Sequence, residues 1–124
     1  MAKRKKVLIV DDDRDFIEVY KARLEKLGYE SAGETDPTEA RWVIRRFLPD
    51  ALILDLNMPG MSGFDLMVNL PQEFGGNPIP ILVFTGRQIP TDEHEALRLG
   101  ATGVFIKGKD EQALLEKLQQ LIGN

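Results

Sequence analysis

Apolar and polar positions along this chain switch repeatedly between two periods. Residues 6–10 form a short, β-branched apolar run without a 3.6-residue repeat, which predicts a strand buried on both faces. Helical spacing follows at once. Phe16, Ile17, Tyr20, Leu24 and Leu27 mark one stripe of a helix that opens among Asp11, Asp12 and Asp13 and closes at Gly28, a natural left-handed stop. A weaker strand is predicted over 29–33. Asp36, Pro37 and Glu39 then read as N-cap, first helical residue and N3 of a helix whose inner face carries Ala40, Val43, Ile44 and Phe47. Pro49 stops it. Residues 51–54 predict a third strand, a loop runs from Met58 to Gly63, and a helix around Phe64 to Leu70 is cut short by Pro71. A fourth strand is expected over 79–84, and Thr91 reads as the cap of a helix through Ala96, Leu97 and Leu99 that ends at Gly100. The fifth strand covers 101–106. A last amphipathic helix begins near Asp110 and carries Leu114, Leu115, Leu118, Leu121 and Ile122.

Strands that each lead into a helix at short intervals argue for an α/β fold with a parallel sheet and helices on both faces. The pattern does not set the strand order. It does put every strand-to-helix loop at the carboxyl edge of the sheet, where open α/β sheets place their chemistry. With 124 residues, 43% of them hydrophobic and 29% charged, the chain is expected to form one domain over 1–124. Its longest apolar runs fall far below the roughly 20 residues of a membrane span. The basic residues 3–6 precede four apolar residues and three aspartates, which is no signal-peptide pattern, so a cytoplasmic location is expected. The absence of cysteine excludes disulfides, thiolate metal sites and cysteine nucleophiles. A formal net charge of −4 argues against nucleic acid as the main partner.

The predicted carboxyl edge is polar. The first strand ends in Asp11, Asp12 and Asp13, the third in Asp55, the fourth in Thr85 and the fifth in Lys107. Any one of the aspartates or the threonine alone reads as a helix cap. If the first and third strands are neighbours, however, at least three carboxylates converge, and their repulsion calls for a cation. Oxygen ligands without nearby cysteine or histidine favour magnesium over zinc, and magnesium binds through one or two carboxylates plus a phosphate. A carboxylate can itself attack phosphorus, with the charge on the transferred oxygens absorbed by neighbours. Lys107 offers a cation, Thr85 a hydroxyl, and the Asn57 and Gly86 region backbone N–H groups.

These residues carry a family resemblance. Val-Asp-Asp at 10–12, Asp-Leu-Asn-Met-Pro-Gly-Met-Ser-Gly at 55–63, Phe-Thr-Gly at 84–86 and Phe-Ile-Lys at 105–107 resemble the receiver domains of two-component response regulators, in particular the stand-alone chemotaxis type. The resemblance spans the chain in order, and the loop beginning at Asp55 is its most specific part. It implies a flavodoxin-like (βα)5 fold with strand order 2-1-3-4-5. Asp55 would then be the phosphoacceptor and a direct Mg2+ ligand, Asp12 the second carboxylate ligand, Asp11 a ligand through water, and Asn57 a ligand through its backbone carbonyl. Thr85 and Lys107 would contact the phosphoryl oxygens. The implied donor is a phosphohistidine on a histidine kinase or histidine phosphotransfer protein. The implied output is a change in binding to another, unidentified protein, and the only catalysis expected is of the chain's own phosphorylation and dephosphorylation.

Several positions depart from the family pattern. Asp13 is a third acid, read as a helix cap. Gly108 follows Lys107 where the family has proline, which predicts a trans peptide there and a looser hold on the lysine. Val104 replaces the family's aromatic switch residue, and Phe105, by strand alternation, points to the opposite face. Arg87 is a candidate for shielding the phosphoryl group. Trp42 lies off the apolar stripe and His94 on a polar face, so both are expected at the surface. Met58 and Met61 read as filler. Two other functions compete: a degenerate receiver that binds partners without phosphorylation, motivated by Val104 and Gly108, and an aspartyl-intermediate phosphatase, disfavoured because Asn57 stands where an acid is wanted. An acidic loop after the first strand disfavours a flavin phosphate.

Overall fold

The computed structural model describes residues 3–58, 60, 62–70 and 79–123. Pro59 and Met61 of the predicted loop, and the helix stop at Pro71, lie outside the described residues. Strand and helix alternate throughout: β1 (Lys6–Val10), α1 (Arg14–Lys26), β2 (Glu30–Glu34), α2 (Ala40–Phe47), β3 (Ala51–Leu54), α3 (Gly63–Asn69), β4 (Ile81–Thr85), α4 (Pro90–Arg98), β5 (Gly103–Ile106) and α5 (Glu111–Ile122). All the strand pairs are parallel, in the order β2-β1-β3-β4-β5. This is the flavodoxin-like (βα)5 arrangement, and it makes β1 and β3 neighbours. No helix among the described residues is long and apolar enough to cross a membrane.

Side-chain alternation divides the core into two layers. Leu8, Val10, Leu52 and Leu54 pack with Ala40 and Ile44 of α2, Leu66 and Met67 of α3, and Ala96 of α4. Val7, Ile9, Ile53 and Phe84 pack on the other face with Ile17, Tyr20 and Leu24 of α1 and Leu114 and Leu118 of α5. Both faces of β1 and β3 are therefore apolar, as their uninterrupted hydrophobic runs require. Val104 joins the first layer and Phe105 the second, as strand alternation predicts.

Three helix starts are decided differently from the local sequence signals. Asp36 accepts hydrogen bonds from the N–H and hydroxyl of Thr38, but residues 37–39 form a turn and α2 begins only at Ala40. Buried Pro37 and the bonds of Glu39 and Ala40 back to Asp36 and Pro37 tighten that entry before the helix takes over. Thr91 does not cap α4; Ile89 holds the cap position without a side-chain bond, and Pro90 takes the first turn, where its missing N–H costs nothing. By contrast, α3 has a capping box absent from the sequence reading. Ser62 accepts from the N–H of Asp65, whose carboxylate accepts from the N–H of Ser62.

Candidate functional site

The carboxyl edge of the sheet brings the predicted residues together because β1, β3, β4 and β5 are successive neighbours there. Asp11 follows β1 and its N–H donates to the carbonyl of Glu34; Asp55 follows β3 and its N–H donates to the carbonyl of Val10. One carboxylate oxygen from each of Asp11, Asp12 and Asp55 lies within 4.8 Å of the others. Asp11 and Asp55 are buried, at 1% and 6% exposure, whereas Asp12 is open to solvent. Asp13 stands apart from this group as the N-cap of α1, accepting from the N–H of Phe16 at 3.1 Å, while its own N–H donates to Asp11.

Lys107 enters from the end of β5. Its ammonium donates to Asp11 Oδ2 at 2.6 Å and to Asp55 Oδ2 at 3.4 Å, and it lies 4.1 Å from the ring centroid of Phe16. The Phe16 ring face thus adds its support to the cation beside the two carboxylates. Gly108 follows in a trans linkage with φ +80°, a region closed to proline, so the turn after Lys107 takes a path a proline would not allow. The N–H groups of Lys109 and Asp110 both donate to the carbonyl of Ile106, and Asp110 Oδ2 accepts from the N–H of Ile106, so the turn is pinned at its base.

Burial governs the ionisation of the cluster. It raises Asp55 above the usual carboxylate range; the Lys107 charge and the N–H of Asn57 oppose this, and the neighbouring charge of Asp12 adds to it. Asp11 is likewise raised by burial, against hydrogen bonds from Lys107 and the N–H of Asp13. Burial alone would lower Lys107, but its hydrogen bond to Asp11 and the charges of Asp55 and Asp11 outweigh it and hold the ammonium above its ordinary value. The donor set is all oxygen, with two buried carboxylates and one solvent-facing carboxylate in reach of a single point. That chemistry fits a hard, partly hydrated divalent cation.

Thr85 is 2% exposed at the end of β4. Its hydroxyl oxygen accepts from the side-chain amide of Asn57 at 3.0 Å and from the N–H of Arg87 at 3.3 Å. Asn57 also donates its backbone N–H to Asp55 Oδ1 at 3.3 Å, so one residue spans acceptor and hydroxyl. The Arg87 side chain is exposed, as are Trp42 and His94. Two contributors escaped the sequence reading. Phe16 was legible only as a core position of its helix. Gly63 is needed by close approach: a Cβ there would lie 2.5 Å from the carbonyl oxygen of Asp55 and 2.7 Å from the Cα of Leu56.

A cluster of three carboxylates beside a lysine at the carboxyl edge of a 2-1-3-4-5 parallel sheet is the arrangement expected of a signalling receiver. The profile of the family described as Response regulator receiver domain matches residues 7–119, and the chain belongs to that family. It is 30% identical over 120 residues to Protein RcaC of Microchaete diplosiphon, a match covering 94% of this chain and 18% of that protein. Against the DNA-binding response regulator MtrA of Mycobacterium tuberculosis it is 30% identical over 116 residues, covering 94% of this chain and 50% of MtrA. The chain thus spans half or less of these two curated relatives. Among solved structures, it resembles chemotaxis protein CheY4 of Vibrio cholerae with a TM-score of 0.85 and 31% identity, covering 96% of this chain and 99% of that one. The BeF3-activated receiver domain of Klebsiella pneumoniae RstA superposes with a TM-score of 0.86 at 27% identity, covering 97% of this chain and all of that one.

Proposed function

We propose that residues 1–124 act as one receiver unit in which Asp55 accepts a phosphoryl group from a phosphohistidine on a histidine kinase or phosphotransfer protein. A carboxylate oxygen of Asp55 attacks phosphorus, the P–N bond to the donor imidazole breaks, and the departing imidazole takes a proton. Asp12 and Asp55, the Asn57 carbonyl, and Asp11 through water would hold Mg2+. That ion supplies positive charge for the equatorial oxygens when bound. Lys107, now shared between Asp11 and Asp55, is within reach to pair with a phosphoryl oxygen added at Asp55. Thr85 keeps its hydroxyl proton available, because both of its described bonds are accepted by its oxygen. The output is a change in affinity for another protein, and the chain turns over no substrate besides its own acyl phosphate. A cytoplasmic location belongs to the same proposal, as the compartment in which such donors are met.

The observation that carries this reading is the buried Asp55 carboxylate with Lys107 at 3.4 Å and the Asp11 and Asp12 oxygens within 4.8 Å. Incubation with acetyl phosphate and MgCl2 should yield an acid- and base-labile phosphoprotein of one added phosphoryl group, absent from Asp55→Asn and from EDTA-treated samples. A protein that stays unmodified would favour the second reading, a phosphorylation-independent interaction module. That reading draws on Val104, which leaves a small cleft beside Thr85 and Ile89 where the family has an aromatic side chain.

A further inference from the structure

The outer surface of α2 has a charge character opposite to that of the chain as a whole. Its inner stripe is complete: Ala40 and Ile44 are buried, and Val43 and Phe47 pack against the same core. The remaining positions of the two turns, Arg41, Trp42, Arg45 and Arg46, are all exposed. No acid occurs between 40 and 47, although the chain carries a net charge of −4. The Arg45 guanidinium stacks 5.3 Å from the Trp42 ring centroid. Among the described residues none of the three arginines takes part in an ion pair or a side-chain hydrogen bond.

Part of this arrangement works against the helix that displays it. Arg41 occupies the first turn, where the helix dipole favours an acid, and that turn has none. Arg41 and Arg45 are four residues apart on one face, a spacing at which like charges repel. Trp42 leaves 49% of its surface in water. Arg45 and Arg46 in the last turn suit the dipole and Arg45 covers part of the Trp42 ring, but the Arg41 charge in the first turn and the rest of the Trp42 surface have no such offset among the described residues; an anionic surface laid over α2 would supply it.

We infer that the outer face of α2 docks an acidic protein segment, with Trp42 as the apolar anchor and Arg41, Arg45 and Arg46 pairing its carboxylates. Tryptophan and arginine are the side chains that most often dominate protein interfaces, and the guanidinium fork matches a carboxylate in two-point geometry. Patch size selects a short acidic segment over an extended polyanion. An eight-residue helix spans about 12 Å, close to the screening length of roughly 8–10 Å at moderate salt. A matching segment meets only the arginines, whereas a nucleic acid or anionic lipid surface would extend past them to Glu34, Asp36 and Glu39. The helix contributes no residue to the Asp55 cluster.

Trp42 is the only tryptophan in the chain, so its emission reports on this face alone. The probe is a fluorescein-labelled peptide of glutamates interrupted by leucines, followed by anisotropy and by Trp42 emission. Binding is expected to move Trp42 emission and to weaken with added salt. It should fall by about tenfold or more in Trp42→Ala and in the Arg41→Gln, Arg45→Gln double variant. Far-UV circular dichroism and unchanged acetyl phosphate labelling of the double variant would show that the fold is intact. Peptide binding that leaves Trp42 emission unmoved, or that survives both variants, would overturn the proposal, as would no binding at all. Tighter binding of a single-stranded oligonucleotide or of phosphatidylserine-containing vesicles through the same residues would also overturn it, replacing the acidic protein with another partner class.

Discussion

Lys107 Nζ sits 2.6 Å from Asp11 Oδ2, closer than to the carboxylate of Asp55. The ammonium therefore neutralises the same pair of buried acids that a divalent cation would use. Removing it in Lys107→Ala should tighten Mg2+ binding by about tenfold, because a unit charge a few ångströms from the ion is lost in a partly screened site. It should also slow phosphorylation from acetyl phosphate by at least about tenfold, since in the proposed reaction the lysine supplies a full positive charge to the phosphoryl oxygens. Isothermal titration with MgCl2 and initial labelling rates read the two effects separately. Weaker metal binding in the variant would contradict the competition.

Gly63 links packing directly to the site. At the first turn of α3, alanine has an intrinsic advantage over glycine of about 1 kcal/mol. The backbone of Asp55 and Leu56 occupies the space its Cβ needs, and backbone cannot swing aside as a side-chain tip can. Overpacking of this kind costs about 1–3 kcal/mol, so Gly63→Ala should be net destabilising by urea denaturation. Its labelling at Asp55 should fall as well, because the displaced segment carries the proposed phosphoacceptor.

Tyr20 ties α1 to α5. Its hydroxyl donates to Glu111, which also pairs with Arg23 at 3.6 Å, and Arg23 lies over the Tyr20 ring. Burial, then the hydrogen bond and charge of Glu111, push the phenol well above its ordinary value, so it stays a donor throughout the neutral range. Tyr20→Phe keeps the ring contacts with Phe16 and Phe84 and loses only the hydroxyl. A loss of about 1 kcal/mol is expected in chemical denaturation. No loss would mean that Arg23 alone satisfies Glu111.

Glu25 sets a pH dependence away from the Asp55 cluster. The Ser31 hydroxyl and N–H, with Arg4 in support, hold its carboxyl below the usual value of 4.5. A folded-state value lower than the unfolded one contributes stability above the unfolded value and loses it as pH falls through the folded one. The melting temperature of the native protein should therefore drop more steeply than that of Glu25→Gln between about pH 5 and about pH 3. Parallel melting curves across that window would rule out the contribution. The effect is modest because the pair is largely exposed to solvent.

Much of the architecture was legible because buried strands and amphipathic helices leave different periods in the chain. The predicted runs at 6–10 and 51–54 coincide with β1 and β3, and Gly28 and Gly100 take up positive φ behind α1 and α4. Helix starts were less legible. Thr91 and Asp36 have the right side chains for a cap, but Pro90 and the turn at 37–39 control the backbone, and a cap needs a particular backbone angle as well as an oxygen.

What the sequence determined by itself was therefore local: which segments are apolar on one face or two, and which carboxylates, hydroxyl and amine stand at strand ends. Their number and kind already pointed to a cation-assisted phosphoryl chemistry. Only the tertiary structure decided which of them meet. Lys107 reaches Asp11 across 96 residues of sequence, and Asp55 joins Asp11 only because β3 pairs with β1. Phe16 under Lys107, Asn57 bonded to Thr85, and the contact that forbids a side chain at Gly63 have the same origin. Each is a distance between groups on different elements, set by how strands order and helices pack, and no periodicity within one segment records it.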